Sequence, residues 1–487
     1  MASIQLPSIS LQNNLTKIQL LSQDSEVTFD ARIHEVQARS PAATSISLVL
    51  RDEGSFVAAS VEEGVVDNST LEMVQILTPE SIVRVSGNLV SAPTTFIQVS
   101  KIVVLANSLA DLPKGVVSHG APGEEEAIEN QLGALVLHER LNNRVADVKV
   151  AATGAIFKLL SGIFQLAVEH QTTGGFHWVS TPGLINYRIP GDDDYFPVSY
   201  FDNEQVWLAQ TGEFHLQIAL AMDFKRGFEI RNVFRRERKV SSRHLTEYTA
   251  LEAMMAFEHD WQEILYSAES LIVFIIRSLQ QKDRYRMLIN LAKRLYSSAG
   301  DVKLGLDEDG HFPRLKFVEA KGLLRNLLGF DTDDRDDFTR EEEAALSRLL
   351  SGASSTGLEL QTVKGLPTDV FAITDWPPHL RPFNVQTTEG DEKKTNSFDI
   401  IVRGQETCSG WQSIHSHNKM RQAMAARDPP IDPDASMWHT YIGAYKAGAP
   451  PQGGYGMGLN RLLQNVIGLS DIHEAALFPR NAQRVSP

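Results

Sequence analysis

The chain has 487 residues, 42% of them hydrophobic, enough for two or three domains that each bury a core. Its single cysteine, Cys408, excludes a disulfide framework and fits a reducing compartment. A formal charge of -15 makes the surface as a whole repel nucleic acid, so any RNA contact has to be local. The start MASIQLPSIS lacks a basic region followed by an apolar one and carries no lysine-rich helix. No apolar run approaches the roughly 20 residues that span a bilayer. A soluble, cytoplasmic protein without membrane contact is expected.

In chain order, residues 26–106 hold five short β-branched stretches, EVTFDARIHEV, TSISLVLRD, SFVAASV, SIVRVSGNLV and FIQVSKIVVLA, divided by turn residues. That number and spacing predicts a five-stranded Greek-key barrel of OB-fold type. ADLPKGVVSHGAPGEEEA joins Pro, Gly and an acidic run, and reads as a linker. DVKVAATGAIFKLLSGIFQLAVEH has apolar residues at helical spacing and opens a larger α+β domain. The expected division is a barrel domain over 1–110, a linker over 111–145 and a second domain over 146–487. Within the last, DTDDRDDFTREEEAALSRLLSG reads as an acidic surface helix with Thr339 and Glu342 as a capping box. QTTEGDEKKTNS reads as a polar loop.

FEIRNVFRRERKVSSRHLTEYTALEAMMAF places Arg231, Arg235, Arg236, Arg238, Lys239 and Arg243 between two apolar runs. Like charges so close repel one another unless an anion or carboxylates balance them. Apolar alternation at both ends predicts two antiparallel strands joined by a basic loop, with Arg235 and Glu237 aimed at a common site. The bland reading is a solvated basic loop. GGYGMGLNRLLQNVIGL weighs against it: a glycine-rich turn before a helix, with Arg461 in the first helical turn, lets backbone and a forked guanidinium approach a phosphate.

With these residues in hand, the chain resembles the class II aminoacyl-tRNA synthetases, and among them the aspartyl enzymes of eukaryotic and archaeal type. The resemblance runs through RLNNRVADV, GFHWVSTP with Pro182, the VFRRE and RHLTEY hairpin, and GLNR with the closing LFPR. It implies an antiparallel catalytic sheet flanked by helices, a homodimer built around the first motif, ATP and Mg2+, and a barrel that in relatives reads the anticodon. By the same resemblance Arg235 matches the α-phosphate ligand, Glu237 an adenylate-site acid, and Arg461 the γ-phosphate ligand. Tyr248 matches an aromatic that stacks on adenine, and Arg243 and His244 fall in the same ATP-binding motif. Glu406 and Ser409 in RGQETCSG match oxygen ligands of a magnesium ion. Asn460 departs from the pattern, since relatives carry Glu there.

The amino-acid pocket departs further. Gln210, Glu213 and Leu216 lie in QTGEFHLQ, and Trp411 and Ser413 in SGWQSIHS. Where aspartyl relatives hold the substrate carboxylate with a lysine and an arginine, this chain has Leu216 and Ser413. At the α-amino side a Gln becomes Glu213, an Asp becomes Glu252, and a loop Glu falls on Pro190, beside Asp192, Asp193 and Asp194. An unpaired buried carboxylate costs several kcal/mol, so aspartate is expected to bind poorly. His215 or Arg188 restoring the charge is the innocent alternative. Trp411 either lines the pocket or packs in the core; if it and Leu216 face the substrate, that substrate is less acidic and more apolar than aspartate. In the barrel, Ser47, Ala58 and Phe96 stand where relatives carry their anticodon-reading residues, and losing all three removes stacking and base-edge contacts.

Three readings follow. One is a synthetase paralogue that makes an acyl-adenylate from a different amino acid or carboxylic acid, with tRNA or another molecule as acceptor. The second is an authentic aspartate-tRNA ligase, and the third a binding protein that has lost catalysis. Cys408 reads as a buried strand residue, and His415 and His417 lack the further ligands that a metal site needs.

Overall fold

The computed structural model describes residues 25–38, 45–52, 55–90, 95–109, 136–192, 194–352 and 367–486. The chain forms two compact units, Met1–Ala151 and Ala152–Pro487. Most of the expected linker, and Asp193, lie outside the described residues.

In the first unit the five expected strands form: β1 (Glu26–Ala38), β2 (Ser45–Asp52), β3 (Ser55–Glu62), β4 (Ile82–Val90) and β5 (Phe96–Ala106). They close into a barrel in the order β1-β2-β3-β5-β4. The period of two in β4, where Val83, Val85 and Leu89 are buried between outward neighbours, sends one set of side chains inside. There they meet Phe29, Ile33, Leu48, Leu50, Val61 and Ile97. Ala58 pairs with Phe96, and Ser47 with Ser60, so the three altered positions share the outer face. After the undescribed stretch, RLNNRVADV makes two short helices, Leu137–Asn142 and Arg144–Lys149. Buried Asp147 joins them, accepting from Arg140 at 2.9 Å and Arg144 at 2.5 Å. Lys149 reaches buried Glu80 of the barrel unit at 2.7 Å.

The second unit centres on an eight-stranded sheet. Its members, with two small ribbons between them, are β6 (His177–Trp178), β7 (Leu184–Ile185), β8 (Pro197–Ser199), β9 (Gln205–Leu208), β10 (Arg226–Phe234), β11 (Glu247–Ala256), β12 (Arg314–Lys316), β13 (Val370–Thr374), β14 (Thr387–Thr388), β15 (Asp391–Thr395), β16 (Ser397–Val402), β17 (Gln405–Ser413) and β18 (Gln452–Gly458). The large sheet runs β12-β13-β16-β17-β18-β11-β10-β6, antiparallel from β13 to β10. β13 and β16 are buried nearly throughout, so neither alternates; β13 reads as an apolar run, whereas β16 buries Asp399 among its apolar residues.

Helices Ala151–Thr173 and Gln262–Gln281 pack Ile156, Leu159, Ile163 and Leu166 with Leu265, Ile272 and Ile276 into one core with this sheet. Contrary to the sequence expectation, the first of them is long and apolar enough, by length and composition, to cross a membrane; half of its apolar window is buried in the protein. The acidic helix forms as Arg340–Leu350, with both halves of the Thr339–Glu342 capping box present. It is not purely a surface helix, because Glu342 and Glu343 are buried.

The glycine-rich segment differs from its reading as a turn: Gln452–Gly458 is a central strand, followed directly by the helix Leu459–Ile467. Glycine is required here by close approach. A Cβ on Gly454 would sit 2.1 Å from the carbonyl oxygen of Ala253 on the neighbouring strand.

Candidate active site

The basic stretch forms the expected hairpin, β10 and β11 in register from Arg226–Met255 to Phe234–Glu247. Arg235 and Glu237 stand in the loop just beyond β10, not on the strand itself. Both line a cavity of about 580 Å³ whose wall also includes Arg243, His244, Tyr248, Glu252, Glu406, Ser409, Trp411 and Arg461. Gln210, Glu213 and Leu216 line it too. Stretches more than 200 residues apart in sequence therefore meet in one site. Ser413 is the exception: it is fully buried behind the wall, where its hydroxyl accepts from Gln217 Nε2 at 3.1 Å.

At the basic end, the cationic side chains are held in place by their neighbours. Arg461 donates to the carbonyls of Glu406 (2.9 Å) and Arg243 (3.2 Å), which fixes its guanidinium at the start of its helix. Arg235 lies 5.8 Å from the Tyr248 ring centroid. His244 is 3.7 Å from Glu237, and its Nδ1 meets the Ser241 hydroxyl at 2.7 Å; burial holds its pKa below the ordinary value, against the pull of Glu237. Between these groups, a Cβ on Gly456 would have nothing within 4 Å, so this part of β18 leaves open floor beneath the cavity. Asn460 takes no part in ion pairing: it accepts from the Thr249 amide at 2.8 Å and donates to the Ala475 carbonyl at 2.9 Å, tying the helix to β11.

Several lining residues escaped the sequence reading. Glu343 pairs with Arg243 at 2.6 Å, and burial pushes its carboxyl up to about 7. Arg381 stands 3.0 Å from Asp399 and 4.0 Å from the Trp376 ring, and donates to Ser409 at 3.3 Å. Asp399, fully enclosed, is likewise raised to about 7 by burial. Asp337 and Phe338 also reach the wall. The available signal for Glu343 was its place beside the cap residue Glu342 in a helix that also buries Ala345 and Leu346; no local pattern marks Arg381 or Asp399.

At the other end, Glu213 keeps some accessible surface toward the cavity, yet enough protein surrounds it to push its carboxyl up to about 8. Gln217 Nε2 (2.5 Å) and Asn384 Nδ2 (2.8 Å) both donate to its Oε1. Gln217 Oε1 in turn accepts from the Tyr441 and Tyr445 hydroxyls at 2.6 and 2.8 Å. Glu252 accepts from Thr211 at 2.5 Å and from the Gly212 amide at 2.7 Å, and burial raises it as well. Leu216 is fully buried against Leu220 and Met254. Neither His215 nor Arg188 lines the cavity, and Arg188 lies over the Trp207 ring at 5.9 Å. Cys408 is buried in β17, and burial pushes its thiol up.

A raised acid pKa weakens the fold at high pH. Because folded Glu213 holds its proton longer than the unfolded chain does, stability from this group falls as pH rises from about 4.5 toward 8. Glu213→Gln is expected to raise the melting temperature increasingly over that window, by an amount worth up to about 4 kcal/mol at pH 8, and to change little at pH 4.5. Thermal unfolding of both proteins from pH 4.5 to 9 checks it; a pH-independent difference would place the effect in packing instead.

The donor set suits a magnesium ion. Glu406 and Ser409 offer hard oxygen ligands beside Arg461 and Arg381, and no cluster of three or more His, Cys, Asp or Glu among the described residues forms a complete protein cage. Magnesium needs none, because it takes one or two protein oxygens together with phosphate and water.

Comparison with known proteins agrees with this geometry. The profile of class II tRNA synthetases (D, K and N) matches residues 137–482. Cytoplasmic aspartate-tRNA ligase 1 of Arabidopsis thaliana is 31% identical over 478 residues, covering 95% of this chain and 84% of its own. The cytoplasmic aspartate-tRNA ligase of Mus musculus is 30% identical, covering 95% and 89%. The crystal structure of a putative aspartyl-tRNA synthetase from Leishmania major superposes with a TM-score of 0.79 at 25% identity, over 100% of this chain and 97% of that one. A five-stranded barrel, a hairpin that brings Arg235 to the cavity, and a helix that brings Arg461 to the same wall fit these matches, and the chain belongs to the class II aminoacyl-tRNA synthetases, a family of ATP-dependent ligases.

Proposed function

We propose that this ligase activates an amino acid or other carboxylate different from aspartate, in the cytoplasm, and passes it to tRNA or another acceptor. The observation that carries the reading is the amino-acid end of the cavity: Leu216 is packed among apolar side chains, Ser413 is sealed behind Gln217, and the acids Glu213 and Glu252 face the space instead. A substrate carboxylate placed there would meet the acids Glu213 and Glu252, with the nearby Arg381 already paired to Asp399.

In the proposed reaction a carboxylate oxygen of the substrate attacks the α-phosphorus of ATP. The new P–O bond gives the acyl-adenylate, and the bond to the β-phosphate oxygen breaks to release pyrophosphate. Arg235 would balance charge that builds on the α-phosphate, Arg461 would hold the leaving phosphates, and Tyr248 would flank the adenine. Arg243, His244 and Glu237 would complete the nucleotide wall. Magnesium, held by Glu406 and Ser409, would neutralise phosphate charge when bound. An acceptor nucleophile then attacks the acyl carbon and displaces AMP. Exposed Trp178, Leu184 and Phe201 around the first motif support a homodimer.

Exchange of labelled pyrophosphate into ATP, run without tRNA across the twenty amino acids and a panel of carboxylic acids, tests the proposal. Exchange driven by an acid other than aspartate is expected. Aspartate as the preferred acid would make the chain an ordinary aspartate-tRNA ligase, a reading that its relatives' names favour. Silence both without and with added tRNA would favour a binding role.

A further inference from the structure

The cavity wall contains polar groups with unmet hydrogen-bonding capacity, Asn384 and Trp411 among them. Asn384 is 1% exposed and lines the cavity. Its Nδ2 is committed to Glu213, which fixes the amide orientation and leaves Oδ1 buried with no partner. Trp411 lines the same cavity, and its indole Nε1, also buried, has no partner either. An orphaned buried acceptor or donor costs about 1–3 kcal/mol, a penalty that a ligand removes by completing the bond.

Four neighbouring facts restrict what that ligand group can be. Indole offers only a donor and the Asn384 oxygen only an acceptor, so the pair wants an acceptor and a donor in return. Gln217 is saturated by Glu213, Ser413, Tyr441 and Tyr445, and burial keeps both phenols protonated, so it cannot turn to serve the substrate. Arg381 is paired with Asp399 at 3.0 Å and donates to Ser409, so its charge is already balanced by a neighbouring carboxylate. Leu216 fills its position with hydrocarbon.

We infer that Asn384 and Trp411 form the side-chain subsite of the activated amino acid, and that it selects an uncharged group carrying both a donor and an acceptor, a carboxamide best of all. The N–H of such a group would donate to Asn384 Oδ1, and its C=O would accept from Trp411 Nε1. This sharpens the sequence expectation of a more apolar substrate: the subsite is uncharged but polar. The inference rests on the proposed activation of an amino acid in this cavity.

The test compares pyrophosphate exchange for asparagine, glutamine and serine with that for aspartate, lysine and leucine, in the wild-type chain and in Trp411→Phe and Asn384→Leu, each matched to wild type for folding by circular dichroism. An amide- or hydroxyl-bearing acid is expected to be preferred over aspartate by at least about 100-fold in kcat/KM, since a site built for hydrogen bonds rejects partners that leave them unmade. Trp411→Phe, which keeps the ring and removes the N–H, is expected to raise KM for that acid roughly tenfold with kcat little changed, and Asn384→Leu to do the same. Preference for a charged or apolar side chain, or variants with unaltered KM, would overturn the subsite while leaving activation in place. Exchange with no acid at all would instead overturn the activation on which it rests.

Discussion

Arg235→Ala is expected to cut pyrophosphate exchange by about 10²–10³-fold while the protein stays folded. The reason is geometric: the backbone of Arg235 is anchored by its amide to the Thr246 carbonyl at 3.0 Å, a bond that the substitution leaves intact, whereas the guanidinium over the Tyr248 ring is removed from the cavity. Removing one preorganised donor from a transition-state oxyanion costs this much in enzymes generally. If the donor acts only in the transition state, kcat falls and KM for ATP moves little; if it also grips bound ATP, KM rises. A folded Arg235→Ala protein with undiminished exchange would remove Arg235 from the catalytic role. Arg461 is a less clean target, because two backbone carbonyls depend on it.

The second large effect is expected from a lysine outside the cavity. Lys321, in the helix Phe317–Leu328, is wholly buried. Its ammonium donates to Thr332 at 2.8 Å and to the Asp337 carbonyl at 3.1 Å, pairs with Glu342 at 3.4 Å, and lies 4.4 Å from the Phe338 ring centroid. One charge thereby holds the segment that brings Asp337 and Phe338 to the cavity wall. Lys321→Met would leave Glu342 buried without its cation, and a loss of about 3–5 kcal/mol in urea unfolding is expected. KM for ATP should rise as the segment loosens. A loss below about 1 kcal/mol would mean that the capping box alone holds Glu342.

How much of this was legible in sequence follows from the range of the interactions involved. The barrel strands, the β10–β11 hairpin and the Thr339 capping box are written in neighbours two to four residues apart, and all three formed as expected. The glycine run was misread as a turn because its glycines answer to the carbonyl of Ala253, some 200 residues away, and not to a local bend. Glu343 looked like one more surface acid until the fold set it against Arg243 across 100 residues. Ser413 shows the reverse error: its position suggested a pocket residue, but Gln217 seals it off. Asn384 had no signal at all, since its significance lies in a hydrogen bond that it does not make.

Gly456 sits inside the central strand β18. Glycine within a strand costs roughly 0.5–1 kcal/mol relative to alanine, and here nothing in the protein stands where a methyl group would go. Its neighbour Gly454 is dictated by architecture; Gly456 is not. The fold should welcome Gly456→Ala, with equal or higher melting temperature, and only nucleotide turnover should suffer. A protein retired from chemistry could take that stabilising step without penalty, so the bare position behaves as a standing charge against disuse, legible in a single chain without any relative for comparison.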